Sequence, residues 1–139
     1  MPSGAFLGID FGKKVVGLAY FHPEQDPSPM AYSRIVYQSD KQVISELKTI
    51  IKKESIKNIV LGLPLYPDGN KSLMSDRVLS FAKLLKDEIQ QVLLFAQNEA
   101  YSSSEAKERM ENSVKYNYKT DFKKIDELSA CIILERFIK

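Results

Sequence analysis

Lys57 to Leu65 reads K-N-I-V-L-G-L-P-L, an almost unbroken apolar run. A strand with one wet face alternates apolar and polar residues; this run does not, so both of its faces must be covered. Helical patterns lie on either side of it in the chain. Before it, Val43, Ile44, Leu47, Ile50 and Ile51 recur at helical spacing, so Asp40 to about Glu54 is expected as an amphipathic helix with Asp40 as N-cap. After it, Met74, Val78, Phe81, Leu85 and Ile89 form one stripe of a helix from about Leu73 to Gln90. A second buried strand is expected at Val92 to Ala96. Ser102 and Glu105 have capping-box spacing and mark a further helix start. A last helix runs from about Ile125, with Leu128, Ile132 and Ile133 apolar.

Upstream the period is different. Phe6 to Phe11, Val15 to Phe21 and Tyr32 to Tyr37 read as strands, and H-P-E-Q-D-P-S-P, His22 to Pro29, as a turn or loop. Strands this close in sequence are most simply an antiparallel meander. The order β-β-β-α-β-α-β-α-α predicts a mixed five-stranded sheet in an α/β fold, the meander plus two parallel strands, flanked by helices. No linker divides the chain, and 139 residues suit one domain, 1–139.

No apolar run approaches the ~20 residues of a membrane span. The N-terminus lacks a basic segment followed by a signal-length apolar core, so a cytoplasmic protein is expected. Cys131, the single cysteine, sits in an apolar helical run and reads as core; His22, the single histidine, reads as an exposed loop residue. Net charge is only +2, so charge alone does not argue for a nucleic-acid partner. Its distribution says more. S-V-K-Y-N-Y-K-T-D-F-K-K, Ser113 to Lys124, holds Lys115, Lys119, Lys123 and Lys124 with aromatics between them. Such lysines can neutralise phosphates, and such aromatics can stack on bases. A solvated loop with its aromatics tucked into the core explains the same pattern.

G-I-D-F-G places Asp10 inside a strand, with Gly8 and Gly12 flanking it on its own face. A carboxylate there is either a turn aspartate or an approachable group that needs a donor, a cation or a metal. Glu99 follows the second buried strand, and strand ends in such sheets collect sites. Asp126 falls in the first turn of the last helix, where the helix dipole alone would justify it. Taken singly, each acid has an ordinary explanation.

Four motifs in order carry a resemblance over nearly the whole chain. They are G-I-D-F-G with G-L-A in the next strand, G-L-P-L-Y-P-D-G at Gly62 to Gly69, N-E-A-Y-S-S after the last strand, and D-E-L-S-A-C-I-I-L from Asp126. The chain thereby resembles the YqgF/RuvX family of the ribonuclease H-like superfamily. The resemblance implies a ribonuclease H-like fold in which Asp10, Glu99 and Asp126 converge, bind Mg²⁺ or Mn²⁺ and act catalytically. Oxygen donors of this kind suit hard cations. Lys13 and Lys14 would hold the nucleic-acid backbone or simply form a solvated turn. Asp68 and Gly69 would shape a loop near the site, with Asp68 favoured as the cap of its turn.

The implied activity is a metal-dependent nuclease, with 5′-end processing of pre-16S rRNA favoured and the ribosome as a further partner. The alternatives are a resolvase of four-way DNA junctions and a non-catalytic nucleic-acid or ribosome-binding module. A resolvase cuts symmetrically and favours a homodimer, whereas an RNA nuclease can be a monomer. An actin-like ATPase shares the Asp-x-Gly strand but needs two such domains. The chain also departs from the family. Val15 stands where the family has arginine, and Asn98-Glu99-Ala100 stands for aspartate-glutamate-arginine. The three principal carboxylates remain, so the departures bear on substrate grip or specificity, with weak activity, a changed substrate and lost activity as the alternatives.

Overall fold

The computed structural model describes residues 2–64, 75–98, 102–113 and 124–139. Its elements are β1 (Ala5–Phe11), β2 (Val15–Phe21), β3 (Met30–Val36), α1 (Asp40–Glu54), β4 (Ile56–Leu63), α2 (Ser75–Glu88), β5 (Leu93–Asn98), α3 (Ser102–Glu111) and α4 (Ile125–Ile138). The five strands form one sheet in the order β3-β2-β1-β4-β5. β1 pairs antiparallel with β2, and β2 with β3. β4 pairs parallel with β1, and β5 with β4. This is the expected mixed sheet.

Each face of the sheet has its own core. Leu7, Ile9 and Phe11 of β1, Val16 and Leu18 of β2, and Ile59 and Leu61 of β4 face α1 and α2. They meet Val43, Leu47 and Ile51 of α1 and Val78, Phe81 and Leu85 of α2. Phe6, Ala19, Phe21 and Val60 face the other way and meet Ala130, Cys131, Ile133 and Leu134 of α4. β4 is therefore covered on both faces, as its solid run requires. Cys131 is core, as expected, at 3% exposure. α3 packs outside α4, with Ala106 and Met110 buried and Arg109 bonded to Glu135 of α4.

Several expectations need correction. The N-cap of α1 is Ser39: its hydroxyl accepts the Gln42 N–H at 3.1 Å, and the Gln42 side chain returns to the Ser39 N–H. Asp40, freed from capping, accepts instead from Arg77 and from the Tyr37 hydroxyl. β5 is an edge strand and not a buried one; Leu93 is 57% exposed, because strand order leaves β5 one neighbour. β3 starts earlier than expected, at Met30. His22 is half-buried and closes its own turn: its N–H donates to Asp26 and its Nδ1 accepts from the Glu24 N–H. Glu105 forms ion pairs with Arg109 and Arg136; the Ser102 side of the expected capping box lies outside the described side chains.

Candidate active site: two carboxylates around Gly17

Asp10 lies near the end of β1, opposite Gly17 of β2. Directly opposed residues of an antiparallel pair share a face. That face is the one α4 covers. A Cβ on Gly8 would lie 2.6 Å from Leu134 Cγ and 3.0 Å from the Ala130 carbonyl oxygen. A Cβ on Gly17 would lie 2.0 Å from the Asp126 carbonyl oxygen and 2.9 Å from the Asp126 Cβ. The bare position at Gly8, which flanks Asp10 on its own face, is thus not simply open, as the sequence suggested. At Gly8 the gap admits the body of α4, and at Gly17 it admits the helix's first turn. The first turn brings Asp126 onto the residue that Asp10 opposes.

Asp10 and Asp126 are therefore neighbours of one glycine, each half-buried. Burial pushes the Asp126 carboxyl above the ordinary aspartate range; the charge of Arg34 and the backbone N–H of Asp126 pull it part of the way back. Burial dominates, so ionised Asp126 has lost more water than its neighbours replace. Arg34 enters through the same register. It opposes Gly17 from β3, while the adjacent Ile35 faces the opposite core. Asp10, Gly17 and Arg34 form one row across three strands. The sequence reading missed Arg34, because the row exists only once both strand pairings are known.

The parallel strands end at the same edge. Ile9 lies beside Leu61, and Leu61 beside Ala96, so β5 leaves the sheet at Asn98 on the edge that carries Asp10. Glu99 follows immediately in the chain but lies outside the described residues, as do Lys115, Lys119, Lys123, Asp68 and Gly69. Of the other expected cations, Lys13 and Lys14 are exposed in the β1–β2 turn. Lys124 is exposed at the N-cap of α4. A groove of about 620 Å³ between α2 and β5, lined by Leu85, Ile89 and Leu94, contains neither Asp10 nor Asp126.

The donor set around Gly17 suits a hard cation. Both groups are carboxylates, both lie on one face, and burial makes the charged form of Asp126 costly without a cation or donor beside it. Among the described residues no three His, Cys, Asp or Glu side chains gather as a metal site, so the two aspartates would hold an ion there only with further oxygen donors.

Strand order, mixed pairing and helices on both faces define a ribonuclease H-like fold. Two Thermus thermophilus RuvC structures share it. One aligns at a TM-score of 0.60 with 10% identity, covering 97% of this chain and 95% of that one. The other, in complex with a Holliday junction substrate, aligns at 0.60 with 8% identity, covering 96% and 94%. The chain belongs to the RuvX family, described as Holliday junction resolvase, whose model matches residues 4–139. A relative from Maridesulfovibrio salexigens is 33% identical over 95% of this chain and 96% of its own length. Another, from an Anaplasma marginale strain, is 33% identical over 95% of this chain and 82% of its own. Both carry the name "Putative pre-16S rRNA nuclease". Among the described residues no helix is long and apolar enough to cross a membrane.

Proposed function

We propose that this chain is a metal-dependent nuclease that trims the 5′ end of pre-16S rRNA, with Asp10, Glu99 and Asp126 as catalytic metal ligands and Mg²⁺ or Mn²⁺ as cofactor. The observation that carries this reading is the seating of Asp126 on Gly17, directly across from Asp10. It unites the first and last elements of the fold in one carboxylate site. The names of the relatives favour RNA as the substrate.

The chemistry such ions supply is Lewis-acid assistance to in-line displacement at a phosphodiester. The residues of the chain do the rest. The β1 backbone fixes Asp10, and packing of α4 against β1 and β2 fixes Asp126. Two anions on one face repel a phosphate, so substrate entry requires countercharge. Lys13, Lys14 and Lys124 stand on the adjoining turn and helix start to provide it. The single histidine, His22, is engaged in its own turn, and the site works without an imidazole.

The family description favours a second reading, resolution of four-way DNA junctions. One experiment separates the two. Wild-type and Asp10→Asn proteins are incubated with a 5′-extended 16S rRNA precursor and with a four-way DNA junction, each with Mg²⁺, Mn²⁺ or chelator. Metal-dependent cutting of the RNA that Asp10→Asn abolishes is the expected result. Cutting of the junction alone moves the assignment to resolvase. Binding without cutting would make this a nucleic-acid-binding module whose grip changed at Val15, Asn98 and Ala100.

A further inference from the structure

We infer that Arg34 is a substrate-positioning residue, a guanidinium on β3 that grips a backbone phosphate of the nucleic acid while the aspartates across Gly17 hold the metal. The inference rests on the nuclease reading above and extends it to the element that receives the substrate.

The geometry begins with the row Asp10, Gly17, Arg34 across β1, β2 and β3. All three share the face that α4 packs on, since Val16, Leu18 and Ile35 belong to the opposite core. The central residue has no side chain, and its place is taken by Asp126. A cation at one end of the row thus confronts carboxylates at the other and above the middle. Arg34 is half-buried, whereas Lys13, Lys14 and Lys124 are exposed. Its charge acts on the Asp126 carboxyl and opposes the effect of burial.

Arginine is well matched to such a place. Its fork of N–H donors fits two phosphate oxygens at once, and it sheds water more readily than an ammonium group. β3 is the outer strand of the sheet, so this guanidinium lies on the side of the carboxylates toward that sheet edge. Once a divalent cation neutralises the aspartates, the neighbouring guanidinium is the half-buried positive group a phosphate meets.

A structural alternative predicts the opposite response to metal. If Arg34 serves only to hold Asp126 in place, its loss disorders the site and weakens metal binding. If Arg34 serves the phosphate, its loss removes a positive charge beside a cation site, and metal binding stays level or tightens. The experiment compares wild type, Arg34→Gln, Arg34→Lys and Asp10→Asn. It measures Mn²⁺ affinity without nucleic acid, and affinity and cleavage for the precursor RNA and the four-way junction over a range of salt.

For Arg34→Gln we expect roughly tenfold or greater loss of nucleic-acid affinity, the scale of one charge-assisted contact. The slope of log affinity against log salt should fall by about 0.7 to 0.9, the value of one phosphate contact. Mn²⁺ affinity should be undiminished. Arg34→Lys should restore the slope but only part of the affinity, because charge returns without the fork. Parallel loss of Mn²⁺ and nucleic-acid binding in Arg34→Gln would overturn the inference, as would wild-type affinity in that variant. If wild type cuts, Asp10→Asn does not, and Arg34→Gln matches wild type, the nuclease reading stands and Arg34 has no part in it. If wild type neither binds nor cuts either probe, both fall.

Discussion

The backbone of Asp126 fills the space that a side chain at Gly17 would need, with a Cβ there only 2.0 Å from the Asp126 carbonyl oxygen. The obstructing atom is main chain, so no rotamer change relieves the clash. Gly17→Val should push the first turn of α4 off the sheet, at a cost of about 2–3 kcal/mol on the scale of overpacking. Urea unfolding reads the stability, and Mn²⁺ titration reads the site. A variant as stable as wild type with intact Mn²⁺ binding would mean that α4 does not seat here.

Asp10→Asn keeps the shape of the side chain and removes its charge. Cleavage should fall at least ~100-fold, since even partners of metal ligands cost 10–100-fold when lost. The far-UV spectrum and melting temperature should stay close to those of wild type. Single-turnover cleavage at saturating metal, beside a thermal melt, checks both halves.

Asp126 should make metal-free stability depend on pH in an unusual direction. Its folded pKa is raised by burial above the ordinary 3.8, so within that window the folded state holds a proton the unfolded state has released. Stability from this group therefore falls as pH rises through the window. Asp126→Asn cannot ionise, so without metal it should be more stable than wild type at neutral pH and no more stable near pH 3. Urea midpoints at both pH values, with chelator present, measure the difference.

Asp40 works with the opposite sign. The hydrogen bond from Arg77 is the main cause that holds its carboxyl below the ordinary range, with the Tyr37 hydroxyl assisting. Its contribution is present above the unfolded aspartate pKa and is lost as pH falls through the depressed folded value. Arg77 also lies over the Phe11 ring, 4.9 Å from its centroid. Arg77→Ala should cost about 1–2 kcal/mol at neutral pH, as for a hydrogen-bonded charge pair, and less in acid. Equal losses at pH 7 and pH 2.5 would assign the effect to the ring contact instead.

Much of the architecture was legible because period and solidity of apolar runs are local properties. The unbroken run at β4 required a cover on both sides, and the α1 and α2 stripes supplied one of them. What depended on partners was not legible. Val92 to Ala96 reads as a buried strand in sequence, yet strand order makes β5 an edge. Ser39 and Asp40 are both capable caps; the capping box with Gln42 falls to Ser39, and Asp40 pairs with Arg77. Gly8 and Gly17 advertise missing side chains, but only the packing of α4 shows that a helix takes the space. Asp10 and Asp126 could be named early because their motifs are written in the chain. Arg34 could not, because its place in the row comes from two hairpin registers. Glu99, Asp68, Gly69, Lys115, Lys119 and Lys123 lie outside the described residues.

The seating of α4 on the first hairpin also has a temporal side. Asp10 sits on the first strand and Asp126 on the last helix. A ribosome adding about 5–20 residues per second presents them on the order of ten seconds apart. Until α4 has emerged, the groove along Gly8 and Gly17 is an unfilled slot and the carboxylate pair does not exist. A nascent chain can thus build most of its sheet while having no assembled site. Emergence of α4 is the step that brings the two carboxylates together.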